Sequence, residues 1–198
     1  HDILVVGSRN PELTALDASS GKKIWSYVEE FGGWISGDPT VIGDTLFMGG
    51  SDNHKMIAFN IRTGEVFWEF EFLFNNFSKP IVMDDQLIFT TGDAYASMGN
   101  GKGTGYLYFL DKESGSLKAM SKLDGNLFTS PISTSGKIIV GGDDGVLRSI
   151  SPKHTKRELP GGGTGPVKVI AGRVDSISGD LTMSYKMMYP GQLKISIL

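Results

Sequence analysis

Ala15-Leu-Asp17-Ala-Ser-Ser20-Gly21-Lys-Lys-Ile-Trp25 returns as Ala58-Phe-Asn60-Ile-Arg-Thr63-Gly64-Glu-Val-Phe-Trp68. A third copy, Phe109-Leu-Asp111-Lys-Glu-Ser114-Gly115-Ser-Leu-Lys-Ala119, keeps the carboxylate, the hydroxyl and the glycine but places alanine where the indole stood. A fourth, Ser151-Pro-Lys-His-Thr155-Lys-Arg-Glu-Leu159, keeps only the spacing, with Thr155 in the glycine slot and Leu159 in the tryptophan slot. The anchors at 21, 64, 115 and 155 stand 43, 51 and 40 residues apart. A period near 40 built from β-patterned runs means one supersecondary unit repeated along the chain.

Between anchors the same elements recur. Asp38-Pro39-Thr40-Val41, the turn Gly43-Asp44, Leu46-Phe47-Met48, the loop Gly49 to Asn53 and Met56 to Phe59 make one unit. Lys79 to Val82, Leu87 to Phe89 and Tyr106 to Phe109 make the next, and Ser130 to Ile132, Ile138 to Val140 and Val146 to Ile150 the third. Short Ile, Val, Leu and Phe runs bounded by Gly, Asp, Asn and Ser are strands joined by tight turns. Pro39, Pro80 and Pro131 open the first strand of each unit, where a missing N–H removes no ladder bond. The Asp-x-x-Ser/Thr-Gly phrase then falls between the third and fourth strands, and Trp25 and Trp68 fall on the fourth, outermost strand. A single sheet cannot bury both faces alone, so each unit must pack on its neighbours. The pattern predicts an all-β β-propeller of about four four-stranded antiparallel blades, complete or as a fragment of a larger ring.

The phrases resemble the quinoprotein-type (PQQ-like) propeller repeat, close to A-x-D-x-x-T-G-x-x-x-W, over residues 3 to about 159. On that resemblance Asp17, Gly21, Trp25, Asn60, Gly64, Trp68, Asp111 and Gly115 are structural anchors. The family holds PQQ-dependent alcohol and sugar dehydrogenases. It also holds cofactor-free members, among them BamB-like scaffolds of the outer-membrane β-barrel assembly machinery, so fold alone does not choose. The dehydrogenases use PQQ with Ca²⁺ held by Glu and Asn, a catalytic Asp and, in many, a vicinal Cys pair. Here no cysteine exists, and no Glu, Asn and Asp set lies on matching motifs. The resemblance therefore implies a non-catalytic member without cofactor, exported or periplasmic in the cell envelope, that binds a protein partner. A fragment of a PQQ-dependent dehydrogenase is the alternative, and a sensor or carbohydrate-binding propeller with a small ligand or glycan on its loop face is the third reading.

Composition narrows the classes. The 198 residues carry a net charge of −3 with scattered Lys and Arg, which argues against nucleic acid as partner. The absent cysteines exclude thiol catalysis and thiolate metal sites. No apolar run approaches the 18 or more residues of a membrane span. Ile3 to Val6 aligns with the second strand of a blade, so the sequence reads as a fragment or processed chain. Residues 1–160 are assigned to propeller repeats. Residues 161–198 follow the loop Gly161-Gly-Gly-Thr-Gly-Pro166 and read as a degenerate blade or a β add-on, one of whose strands is a candidate to complete the first blade.

Loops joining a fourth strand to the next first strand, and second to third strands, gather on one propeller face. Loops on a rigid scaffold carry binding. Trp34, His54, Phe74 and Tyr95 are the candidate partner-binding rim, with the insertion Ala94 to Thr104 beside them. Each has a plainer alternative. Trp34 can plug the gap between blades, Tyr95 and Met98 can fold back over their loop, and His54 can be a solvated loop histidine. Asp52, Asp93, Asp143 and Asp144 suit turn formation better than a metal ring. Gly99-Asn-Gly101-Lys-Gly103 lacks the helix and the spacing of a phosphate loop. No catalytic or metal residues are assigned.

Overall fold

A computed structural model describes residues 2–7, 9–30, 32–95, 103–151 and 194–195. All regular structure among them is β. The first sheet has the order β1 (Ile3–Val6), β2 (Glu12–Asp17), β3 (Lys23–Val28). The second runs β4 (Thr40–Ile42), β5 (Thr45–Gly49), β6 (Lys55–Asn60), β7 (Val66–Glu71). The third runs β8 (Ile81–Met83), β9 (Gln86–Gly92), β10 (Thr104–Asp111), β11 (Leu117–Asp124). The fourth comprises β12 (Ile132–Thr134), β13 (Lys137–Gly141), β14 (Val146–Ile150) and β15 (Lys194–Ile195). These are successive blades of a β-propeller, antiparallel throughout except that β15 pairs parallel with β14. Pro39, Pro80 and Pro131 each stand directly before an inner strand, as their missing donor requires.

The anchor turns repeat in atomic detail. The Asp17 carboxylate accepts from the Ser19 and Ser20 amides, Asn60 Oδ1 from the Arg62 and Thr63 amides, and Asp111 from the Glu113 and Ser114 amides. Gly21, Gly64 and Gly115 close the turns at φ 69°, 76° and 71°, a left-handed backbone that a Cβ would strain. Beyond each glycine one extra residue, Ile24, Phe67 or Lys118, stands opposite the steps Ala15–Leu16, Ala58–Phe59 and Phe109–Leu110, and this bulge turns the fourth residue after the glycine toward the next blade.

That residue is the joint between blades. Trp25 lies over Gly64, where an added Cβ would meet its ring at 2.6 Å, and its Nε1 donates to the Ile61 carbonyl at 2.9 Å. Trp68 lies over Gly115 in the same way, at 2.5 Å, and donates to the Lys112 carbonyl at 3.2 Å. Glycine is needed at both positions for the turn and for the close approach of the indole. In the third blade Ala119 occupies the slot, and Thr155, its expected counterpart, lies outside the described residues.

Period-two alternation feeds both faces of the inner blades. Leu46 and Met48 of β5 with Ile57 and Phe59 of β6 close on Leu13, Ala15 and Trp25 of the first blade. Their neighbours Phe47, Met56 and Ala58 turn the other way, onto Leu87, Phe89, Tyr108 and Leu110 of the third. Ile88, Leu107, Phe109 and Leu123 then pack on Ile138, Val140 and Ile150 of the fourth. Each such buried aliphatic side chain contributes about 1.5–3 kcal/mol by leaving water, so the blade stack is held chiefly by these alternating faces.

The first sheet has three strands among the described residues, as the alignment of Ile3 to Val6 with a second strand predicts. Of the segment 161–198, only the backbone of Lys194–Ile195 is described, and it pairs with Val146–Leu147 in the fourth blade. A strand from that segment completing the first blade, and the reading of it as a degenerate blade or an add-on, lie outside the described residues.

Candidate interaction face

Strand order puts the loops after β1, β3, β5, β7, β9, β11 and β13 on one face. Two asparagines fix the loops after β5, β7 and β9. Asn75 exchanges backbone hydrogen bonds with Gly92 at 3.0 Å each way. Its Nδ2 donates to the Ser51 carbonyl at 2.8 Å and to Asp52 at 3.2 Å, and its Oδ1 accepts from the Ala94 amide at 3.3 Å. One buried side chain thus ties the loops after β5, β7 and β9. Asn76, fully buried, donates to the Thr90 carbonyl at 2.8 Å and to Ser78 Oγ at 2.9 Å. Asp143 holds the next loop, accepting from the Asn126 amide at 2.7 Å and from its Nδ2 at 2.8 Å.

On this braced floor apolar side chains stand out. Trp34 is 38 % exposed, with the Arg9 guanidinium 5.1 Å above its ring centre in a cation–π contact. Tyr95 is 67 % exposed, its amide donating to Asp93 at 3.1 Å. Leu73 and Phe77 are also exposed, and Phe77 meets Phe128 edge to face at 5.3 Å.

Two of the four sequence candidates sit lower than the other pair. Phe74 is half-buried with its ring 5.7 Å from Tyr106, so its outward surface is partial. His54 is half-buried too, 6.4 Å from Phe72, with its carbonyl accepting from the Phe72 amide at 2.9 Å. Both adopt positive φ, 70° for Phe74 and 51° for His54, which is uncommon outside glycine and costly for a bulky ring. Met98 and the glycine-rich stretch 99–102 lie outside the described residues. Reasoning from sequence missed Arg9 and Leu73. The loop rule itself should have found Arg9, since the β1–β2 turn joins a second to a third strand.

The carboxylates on this face serve the backbone. Asp144 pairs with Arg148 and accepts from the Val146 amide, Asp52 accepts from Asn75, and Asp143 holds Asn126. No group of three or more His, Cys, Asp or Glu converges among the described residues. A charged network lies at the loop end of the first joint. Lys55 Nζ bridges Glu29 at 3.0 Å and Glu69 at 3.1 Å, and Tyr27 Oη donates to both acids. Burial, followed by the two acids, pushes the Tyr27 phenol well above its usual range, so it stays protonated.

Comparison with known proteins agrees with this architecture. The sequence profile of the family described as "Outer membrane protein assembly factor BamB" matches residues 1–101. The curated outer membrane protein assembly factor BamB of Escherichia coli is 28 % identical over 144 residues, covering 72 % of this chain and 33 % of that protein. The chain therefore spans about a third of the length of the curated relatives it matches. Among solved structures, BamB from Moraxella catarrhalis superposes with a TM-score of 0.58 at 17 % identity, covering 78 % of this chain and 44 % of that one. The quinohemoprotein alcohol dehydrogenase of Comamonas testosteroni gives the same TM-score at 16 % identity, covering 80 % of this chain and 33 % of that one. Those two structures speak to fold alone.

Proposed function

The chain belongs to the outer membrane protein assembly factor BamB family, and we propose from that premise that it is a non-catalytic scaffold which binds a protein partner through its loop face. One observation carries the reading. Trp34, Leu73, Phe77 and Tyr95 project, 38–67 % exposed, from a face where buried asparagines tie the loops after β5, β7 and β9 and the Ser51 amide holds the Trp34 carbonyl. Aromatic side chains on a rigid frame bind protein surfaces with little entropy loss, because few torsions are left to freeze. The positive φ of Phe74 and His54 supports the same reading, since strained backbone is held where a surface must keep its shape.

The same premise supports a place in the cell envelope on the periplasmic side. Among the described residues no helix is long and apolar enough to cross a membrane. A dehydrogenase would need a clamped cofactor and a base in hydrogen-bond reach. The loop-face carboxylates are instead occupied by turn amides, Asn126 and Arg148.

The test is binding of the purified chain to the purified outer-membrane β-barrel assembly machinery, by surface plasmon resonance. The combined variant Trp34→Ala, Leu73→Ser, Phe77→Ser and Tyr95→Ala should weaken binding by about a hundredfold, the scale expected when two anchor residues are lost. Unchanged affinity in a correctly folded variant would remove the loop face from the interaction.

A further inference from the structure

Charge is not spread evenly between the two ends of the blades. Counting His54 as neutral, the described loops of the interaction face hold seven carboxylates and two cations, Arg9 and Lys79. The turns at the opposite end hold five carboxylates and three cations, and the whole chain carries only −3. Strand cations cancel two of the seven, since Lys55 meets Glu29 at 3.0 Å and Arg148 pairs with Asp144. Glu30 and Asp38 are exposed and meet no cation among the described residues. Asp52 and Asp143 accept from Asn75 and Asn126. A neutral amide fixes a carboxylate in place but leaves its charge.

Each projecting apolar side chain has one of these carboxylates beside it. Glu30, Trp34 and Asp38 share the loop between β3 and β4. Asp52 is tied through Asn75 to the segment that carries Leu73 and Phe77. Asp93 accepts from the Tyr95 amide at 3.1 Å. Asp143 holds Asn126, two residues before Phe128, whose ring meets Phe77 at 5.3 Å.

We propose, on the footing of the scaffold reading above, that the segment received by the loop face carries lysine or arginine interleaved with apolar side chains. A wholly apolar segment would strip water from the carboxylates without a counter-charge, and an acidic one would meet like-charge repulsion. Lysine and arginine satisfy both parts of the surface, because their aliphatic stems lie along a ring while the charged head reaches the carboxylate. Guanidinium also stacks on tryptophan and tyrosine faces, as Arg9 does on Trp34. The rings supply contact area, and the carboxylates select the partner and speed its approach.

The probe is a capped peptide of three Lys-Phe-Ser-Leu repeats, titrated into the ¹⁵N-labelled chain beside counterparts with Glu or Ser in place of Lys. In about 50 mM salt the Lys peptide should bind about tenfold or more tightly than the Ser peptide, and the Glu peptide should not bind. Saturable shifts are expected at the Trp34 indole N–H and the Tyr95 amide. The advantage should fall to about threefold or less in about 500 mM salt, where charges are screened within about 4 Å. Glu30→Lys with Asp38→Lys should erase it. Glu65→Lys with Glu113→Lys makes the same charge change on exposed residues at the opposite end and should leave affinity within about threefold. Three peptide outcomes overturn the inference: equal binding of the Lys and Ser peptides, equal effects of the two charge reversals, or self-association of the chain that Glu30→Lys with Asp38→Lys abolishes, which would make a second copy the occupant. The scaffold reading fails separately. If the β-barrel assembly machinery binds through the apolar residues with an affinity unmoved by Glu30→Lys and Asp38→Lys, the charge inference falls and the scaffold stands. If the Lys peptide binds as described and the machinery does not, the chemistry of the face stands and the scaffold reading falls.

Discussion

Replacing Trp25 by alanine removes the ring that joins the first two blades. The side chain is 9 % exposed and rests on Phe59 at 6.1 Å, on Gly64 and on the core formed by Leu13, Leu46 and Ile57. A tryptophan buries roughly 150–250 Å², which at about 25 cal/mol per Å² is about 4–6 kcal/mol as an upper estimate. The substitution also strips the Ile61 carbonyl, buried at 3 % exposure, of its 2.9 Å donor. Collapse of the cavity returns part of the loss, and comparable Trp-to-Ala changes cost about 3–5 kcal/mol. Since a domain's whole stability is about 5–15 kcal/mol, we expect a loss of about 4 kcal/mol and a visibly earlier transition. Urea unfolding followed by far-ultraviolet circular dichroism measures it, with Trp34 and Trp68 as fluorescent reporters of their own blades. Trp25→Phe separates the terms, since it keeps an apolar ring but orphans the carbonyl, and should cost about 1–3 kcal/mol. A Trp25→Ala penalty under about 1 kcal/mol would falsify the claim that the indole couples the blades.

Further expectations can be checked in the same way. Gly21→Ala should cost only the left-handed backbone term, about 1–2 kcal/mol, while Gly115→Ala adds a clash with Trp68 and should cost roughly 1–3 kcal/mol more by urea unfolding. Lys55→Met leaves Glu29, with 3 % of its side chain exposed, facing Glu69 without a cation and should cost about 3 kcal/mol; adding Glu29→Gln should recover at least half of that in a double-mutant cycle. Hydrogen bonds from the Ser19 and Ser20 side chains and the Ser20 amide lower the Asp17 carboxyl from 3.8 to about 2. Its contribution is therefore present above about pH 4 and fades as pH falls toward about 2. Carboxylate NMR should show this titration, and Asp17→Asn should flatten the acid-side change in stability over that window.

The anchors were legible because their determinants are local. Asp17, Asn60 and Asp111 bond to amides two and three residues on, and each glycine's φ is set inside the same turn. Trp25 and Trp68 stand on the outer strands β3 and β7 because period two and the turn position fix the side of the sheet. Blade packing was readable from Leu46, Phe47 and Met48, whose strict alternation must feed two neighbours. The rim was less readable. Nothing in Phe74-Asn75-Asn76 says that phenylalanine, not an asparagine, takes the left-handed backbone and that both amides turn inward. That choice is made by Ser51, Thr90 and Gly92, which are 14 to 24 residues away in sequence. Arg9 over Trp34 is likewise a meeting of two loops that no single-strand pattern contains.

The joint between blades also has a direction in time. Each indole comes from the earlier blade and each receiving glycine from the later one, so Trp25 precedes Gly64 by 39 residues and Trp68 precedes Gly115 by 47. Wherever the chain emerges N-terminus first, each indole is present before its seat, so an unfinished chain carries an uncovered ring at its growing edge until the next turn follows.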